Sequence, residues 1–105
     1  MRAETLKGHL DFLLLATLQP RPLHGYAVVE VLRARSAGSF DLPEGTIYPA
    51  LHRLEAAGFL SSTWSTETGR RRRTYRVTAR GTQALKTGQR EWRDFANAVN
   101  AVAGA

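Results

Sequence analysis

EGTIYPALHRLEAAGFL, residues 44–60, is the stretch on which the reading of the whole chain turns. Ile47, Leu51 and Leu54 recur at steps of four and three, and Ala50 and Ala57 fall near the same side. That is the period of an α-helix. Gly58 is the residue type that ends helices, and Phe59-Leu60 opens an extended run. The opposite face carries Thr46, Tyr48, Pro49, His52 and Arg53, with almost no acid after Glu44. One side of this helix is expected to enter a core and the other to offer hydrogen-bonding groups to a partner. A plain amphipathic helix with a solvated polar face has the same pattern.

Pro49 has no N–H to bond back to residue 45, so the regular helix either starts near Thr46 or bends at Tyr48-Pro49. Both arrangements leave free N–H groups and the positive end of the helix dipole near residues 45–48. An anion, including a phosphate, is favoured there.

The composition agrees with an anionic partner. The 105 residues carry 15 Lys and Arg against 9 Asp and Glu, a net charge of +6. That length suffices for one domain and not for two. There is no cysteine, which excludes disulfides, thiol nucleophiles and cysteine metal sites. The longest apolar run, Phe12–Ala16, is too short to span a membrane, and no secretory leader is evident. A cytoplasmic protein without membrane contact is expected.

Upstream, Thr5–Leu18 is expected to form a first helix with Thr5 as N-cap. Leu6, Leu10, Leu13, Leu14 and Leu18 make one face and Phe12, Leu15 and Ala16 much of another, so the second face calls for a partner chain. Pro20 and Pro22 end it. Leu23–Ser36 has strand-like valines but helical spacing at Val28, Val31, Leu32 and Arg35, and helix is the reading adopted. Residues 36–39 form a turn, and Phe40 is a candidate for a short strand contact. Two helices around a short Gly-containing turn make a helix-turn-helix, with residues 44–57 as the recognition element.

Downstream, Leu60–Thr66 and Thr74–Thr78 alternate as strands, joined by a hairpin tip with Gly69 at the turn. Residues 61–80 hold six arginines, Arg70, Arg71, Arg72, Arg73, Arg76 and Arg80, against the single acid Glu67. Such a charge run is often only solvated. Here Trp64, Tyr75 and Val77 flank it, as they would in a folded hairpin facing a phosphate backbone. Thr78–Ala103 reads as a long last helix capped by Thr78, with Gly104-Ala105 fraying. Leu85, Gly88, Trp92, Phe95, Val99 and Val102 alternate at steps of three and four, a seam that asks for a partner helix.

No enzyme constellation is present. His9, His24 and His52 lie in separate elements without metal-ligand spacing, and there is no paired carboxylate or glycine-rich phosphate loop. Neither a metal nor a cofactor is expected.

The segment GTIYPALHRLEAAGFL followed by GRRRRTYRVTARG resembles the PadR family of bacterial transcriptional regulators, and Leu23-His24-Gly25-Tyr26 resembles the start of that family's second helix. The resemblance covers most of residues 6–92. It implies a mainly α fold with a small β-hairpin: a winged helix-turn-helix DNA-binding domain over residues 1–78, and a C-terminal dimerisation helix over residues 79–105. The N-terminal helix would share the dimer interface. It further implies a homodimer, usually a repressor, on double-stranded DNA. Thr46, Tyr48, Pro49, His52 and Arg53 would then lie on the DNA-facing helix and Arg70, Arg71, Arg72 and Arg73 on the wing. Some short members of the family bind a flat aromatic small molecule between tryptophans of the last helix, and Trp92 matches that position. Phe12, Leu15, Leu85, Gly88, Trp92, Phe95 and Val99 are the dimer or ligand residues that follow. Gln89 is polar where drug-binding relatives tend to be apolar, so Trp92 as simple packing stays open. The alternative from another class is a winged-helix protein-interaction module without DNA binding, against which the arginine-rich wing argues.

Overall fold

The computed structural model describes residues 8–66 and 69–104. Its elements run α1 (Leu10–Leu18), β1 (Leu23–His24), α2 (Gly25–Arg35), α3 (Glu44–Ala56), β2 (Leu60–Ser65), β3 (Arg72–Val77) and α4 (Ala79–Ala103).

Helix α3 settles the proline question. It begins before Thr46, with the Thr46 and Ile47 amides donating to the Pro43 carbonyl at 3.0 and 3.1 Å, and it runs on through Pro49. The carbonyl of Gly45 therefore lacks its usual helical donor, at a solvent-exposed position. The other end closes as the sequence implies. Gly58 takes a left-handed φ of +86°, and the Phe59 amide reaches back to the Leu54 carbonyl at 2.9 Å. That pattern is a Schellman closure. Ile47, Ala50, Leu51 and Leu54 are buried, whereas Ala57 lies at the exposed end.

Three antiparallel strands pair in the order β1-β3-β2. Leu60 lies opposite Val77, Ser62 opposite Tyr75, and Trp64 opposite Arg73. Three strand limits differ from expectation, one of them the end of β3, which stops at Val77 with Thr78 serving as the cap of α4. β2 stops at Ser65, and β3 starts at Arg72, because Arg72 and Arg73 enter the ladder opposite Ser65 and Trp64. A run of arginines has no apolar alternation to announce a strand. β1 was absorbed into the expected second helix, since two residues show no period. It pairs Leu23 with Tyr75 and His24 with Thr74. Phe40 makes no strand; residues 36–40 are turns, and the Phe40 amide donates to the Ser36 hydroxyl at 2.9 Å.

Helix α1 lies at the centre and touches α2, α3, β3 and α4. Residues 8–9 form a turn ahead of it, with φ +88° at Gly8 breaking the helix expected to start earlier. Thr5 and Leu6 lie outside the described residues. Leu14, Leu15 and Leu18 are all buried within the single chain, together with Val28, Leu32, Ile47, Leu51, Leu60, Tyr75 and Leu85. The second face of α1 is thus largely covered by the base of α4, where the Phe12 ring meets Gly88.

Thr78 caps α4, accepting from the Gly81 amide at 3.0 Å while its hydroxyl donates to the Gly58 carbonyl at 2.7 Å. Gly104 closes the far end through its amide to Asn100, and Ala105 lies outside the described residues. Past Gly88 the helix leaves the body, and the molecule reaches 53 Å in its longest dimension. Trp92, Phe95, Val99 and Val102 stand exposed along this part. No helix among the described residues is long and apolar enough to cross a membrane.

Candidate nucleic-acid interface

With the core side of α3 fixed by Ile47, Leu51 and Leu54, its remaining residues fall on three sectors at 100° per residue. Pro49 and His52 point outward, Tyr48 and Glu55 lean towards the hairpin, and Thr46 and Arg53 lean the other way. The contacts agree. The Tyr48 ring lies against Gly25 at the start of α2, and the His52 ring is 6.5 Å from that of Tyr75. Glu55 accepts from Arg73 at 2.8 Å and from the Ser62 hydroxyl at 2.6 Å. On the other side, Arg53 pairs with Asp11 of α1. Thr46, Pro49 and His52 are exposed and Tyr48 is half-buried.

The four wing arginines divide. Arg73 is pinned inward, to Glu55 and to the Ser62 hydroxyl at 2.7 Å. Arg72 reaches His24 Nε2 at 2.8 Å. Arg71 stacks over the Trp64 indole with its guanidinium carbon 4.5 Å from the ring centroid. Arg70 and Arg71 are exposed at the tip. Arg53 and Arg73, both expected at the nucleic-acid face, are therefore held by acids of the chain itself, whereas Arg70, Arg71 and Arg72 present positive charge with no acid paired to them among the described residues.

Between the start of α2, α3 and the wing runs an open groove of about 800 Å³. Tyr26, Tyr48, His52, Trp64, Tyr75 and Arg70 to Arg73 line it, and Glu44 is the one acid among the described lining residues. Burial, and then the neighbouring Glu44, push the Tyr48 phenol above its ordinary pKa, so its hydroxyl stays protonated and able to donate at neutral pH. Positive charge beside neutral donors and aromatic faces is the chemistry that a sugar-phosphate strand meets well.

His24 joins the wing to the helix-turn-helix. Its Nε2 contacts Arg72 at 2.8 Å, and its Nδ1 lies 3.3 Å from the Ala27 amide at the start of α2. A neutral imidazole accepts at one nitrogen only, and a guanidinium can only donate. The shorter Arg72 contact therefore has the stronger claim on the lone pair. Burial, and then the Arg72 charge, hold the His24 pKa below the usual histidine value. The folded chain consequently takes up this proton later than the unfolded chain. His24 costs no stability above the ordinary histidine pKa, and stability falls as the pH drops below it towards the folded-state pKa. A melting-temperature series from pH 7.5 downwards should show a decline that His24→Gln reduces.

A second, smaller hollow of about 340 Å³ is lined by Gly8, His9, Phe12, Gly88, Glu91, Trp92 and Phe95. Trp92 packs edge-on to His9 at 5.9 Å and lies 6.0 Å from Phe95. Four residues expected at a dimer or ligand face, Phe12, Gly88, Trp92 and Phe95, come together here, and Val99 lies farther along α4. Leu15 and Leu85 do not join them: at 3% and 4% exposure in the single chain they belong to its own core, because α4 folds back over α1 before it departs. Sequence reasoning missed His24, Tyr26 and Trp64 as parts of the groove. For Trp64 a signal existed, a large apolar residue on the core-facing alternation of β2 beyond the last core position. Among the described residues no cluster of His, Asp and Glu could hold a metal ion.

Comparison with known proteins places this geometry. The model of the transcriptional regulator PadR-like family matches residues 14–87, from the middle of α1 to the base of α4. A transcriptional regulator of Mycobacterium tuberculosis is 39% identical over 77 residues, 73% of this chain and 69% of that protein. A PadR family transcription regulator of Clostridium difficile superposes with a TM-score of 0.81 at 32% identity, covering 92% of this chain and 100% of that one. A transcriptional regulator of Clostridium thermocellum superposes with a TM-score of 0.86 at 28% identity, covering 96% of both chains. The winged helix-turn-helix, the tyrosine- and arginine-lined groove and the long last helix thus occur in a chain that belongs to the PadR-like family of transcriptional regulators.

Proposed function

We propose that the protein is a homodimeric repressor that binds a pseudo-palindromic DNA operator, with residues 1–78 as the DNA-binding domain and residues 79–105 as the dimerisation helix. The observation that carries this is the convergence of the exposed face of α3 and the arginine wing on one groove. α3 enters a major groove with Thr46, Tyr48, Pro49 and His52 towards it, and Arg70, Arg71 and Arg72 take the flanking backbone. Arg53 and Arg73 hold these parts in place from within the chain. The exposed stripe Trp92, Phe95 and Val99 is the surface a second copy covers. Half-sites then lie about 10 base pairs apart, or a multiple of that.

The Trp92 hollow supports a further element of this reading, a flat aromatic ligand that relieves repression. Its volume sits at the small end of ligand sites. Such a ligand acts only to the extent that it prefers the dimer unable to bind DNA. Titration of planar aromatic cations and acids, followed by tryptophan emission and compared with Trp92→Ala, tests it.

Mobility shift with random-sequence duplex at several salt concentrations separates DNA binding from a protein-interaction module, and sedimentation tests the dimer. A stable monomer at micromolar concentration removes the paired-site reading. Within the site, Tyr48→Phe deletes a neutral donor to phosphate and should weaken every duplex similarly. His52→Ala should shift sequence preference, at a cost of roughly 1–3 kcal/mol if the ring meets a base edge. A selection experiment comparing the preferred sequences of His52→Ala and the unsubstituted protein checks that assignment.

A further inference from the structure

Trp64 is a large aromatic residue outside the core, and its placement is unusual. Alternate residues of a strand share a face, so Leu60, Ser62 and Trp64 project to one side of β2. Leu60 on that side is buried at 2% exposure, and Ser62 bonds to Glu55 of α3. This is the side that packs on the recognition helix. Trp64 is one register step farther out, and its indole stands 56% exposed. The exposed ring is nonetheless held. Arg73, its cross-strand partner, is anchored on Glu55 and lies 5.7 Å from the ring, and Arg71 lies 4.5 Å from it. The indole forms part of the groove wall that also presents Tyr48 and His52.

We propose that Trp64 is a direct DNA contact, an apolar face that the sugar-phosphate strand lying between α3 and the wing covers. Charge selects the occupant. The groove around the indole carries Arg70, Arg71 and Arg72, and an anionic strand with flat apolar sugars and bases satisfies guanidinium and indole together. The inference rests on the DNA-binding reading and adds a non-electrostatic contribution to it. Affinity from an aromatic face does not release counterions, so it is independent of salt, whereas affinity from the arginines is not.

The test uses the full-length protein and a random-sequence duplex of about 30 base pairs, long enough for two adjacent half-sites. The chain has two tryptophans, Trp64 and Trp92, so Trp64→Phe leaves one emitter. In the unsubstituted protein, saturating duplex should shield part of the tryptophan emission from acrylamide, and in Trp64→Phe that shielding should vanish. Trp64→Ala should bind about tenfold more weakly with an unchanged salt slope, and Trp64→Phe, which keeps an aromatic face, should recover most of that affinity. A mobility shift without shielding, or shielding that persists in Trp64→Phe, overturns the Trp64 contact and leaves DNA binding standing. A salt slope that flattens in Trp64→Ala also overturns it, assigning the indole to positioning Arg71 instead. Absence of any shift at low salt overturns the DNA-binding reading and this inference with it.

Discussion

Gly81→Ala lowers the unfolding free energy by about 3 kcal/mol, at the upper end of what a misplaced methyl group costs in a packed interior. Gly81 is buried in the first turn of α4, and an added Cβ there would overlap the backbone carbonyl of Phe59 and press on a Val77 methyl. A backbone carbonyl cannot swing aside as a side chain can. The methyl is relieved only by lifting α4 from the end of α3, which also strains the Thr78 cap. Gly88→Ala is the control, since its obstacle is the Phe12 ring, a side chain and not backbone. Its cost should be nearer 1 kcal/mol. Urea denaturation followed by far-ultraviolet circular dichroism reads both. A drop in midpoint at constant slope identifies a loss of native stability. If Gly81→Ala falls within about 0.5 kcal/mol of the unsubstituted protein, the range of ordinary surface changes, the close approach of α4 to Phe59 is wrong.

The second large effect is on DNA. Replacing Arg70, Arg71 and Arg72 together by Ala should reduce the slope of log affinity against log salt by nearly three units, at about 0.9 for each phosphate no longer neutralised. At low salt the affinity should fall by a factor on the order of 10³. Arg70 and Arg71 are exposed and contribute little to stability, so any loss in the melting temperature should come from Arg72 and its contact with His24. Arg73→Ala is predicted to behave differently. Its partner Glu55 and the Ser62 hydroxyl lose their shared donor, so the wing loosens against α3. Isothermal titration of a random duplex across a salt series, with thermal melting beside it, distinguishes the two outcomes. An unchanged salt slope in the triple variant removes the wing from the interface.

Period and punctuation in the sequence located α3, its buried face and its glycine closure, since each depends on neighbours within a few residues. The hairpin was legible from Gly69 and the alternation of the outer strand positions, but not its inner limits, where Arg72 and Arg73 pair without any apolar alternation. The two-residue strand at Leu23–His24 was not, because its existence depends on Thr74 and Tyr75, far along the chain. The division of labour among arginines was hidden for the same reason. Arg72 and Arg73 are neighbours of one residue type, yet one meets a histidine and the other a glutamate. The seam along the last helix was half legible. The spacing of Leu85 and Trp92 is the same whether α4 lies on the body or beyond it, and only the path of α1 decides that Leu85 is core.

The Thr78 hydroxyl bridges the end of α3 and the start of α4, and the base of α4 is seated on α1 just beyond it. From it α4 extends as a rod of 25 residues, about 38 Å at 1.5 Å per residue. A tilt of about 5° at the cap sweeps the far end through about 3 Å over that length. The ratio also works in reverse: holding the tip still to within an ångström fixes the angle of α4 at its cap to about 1.5°. In the dimer proposed above, a coarse grip on the distant helix end would translate into fine angular control at the body of the protein.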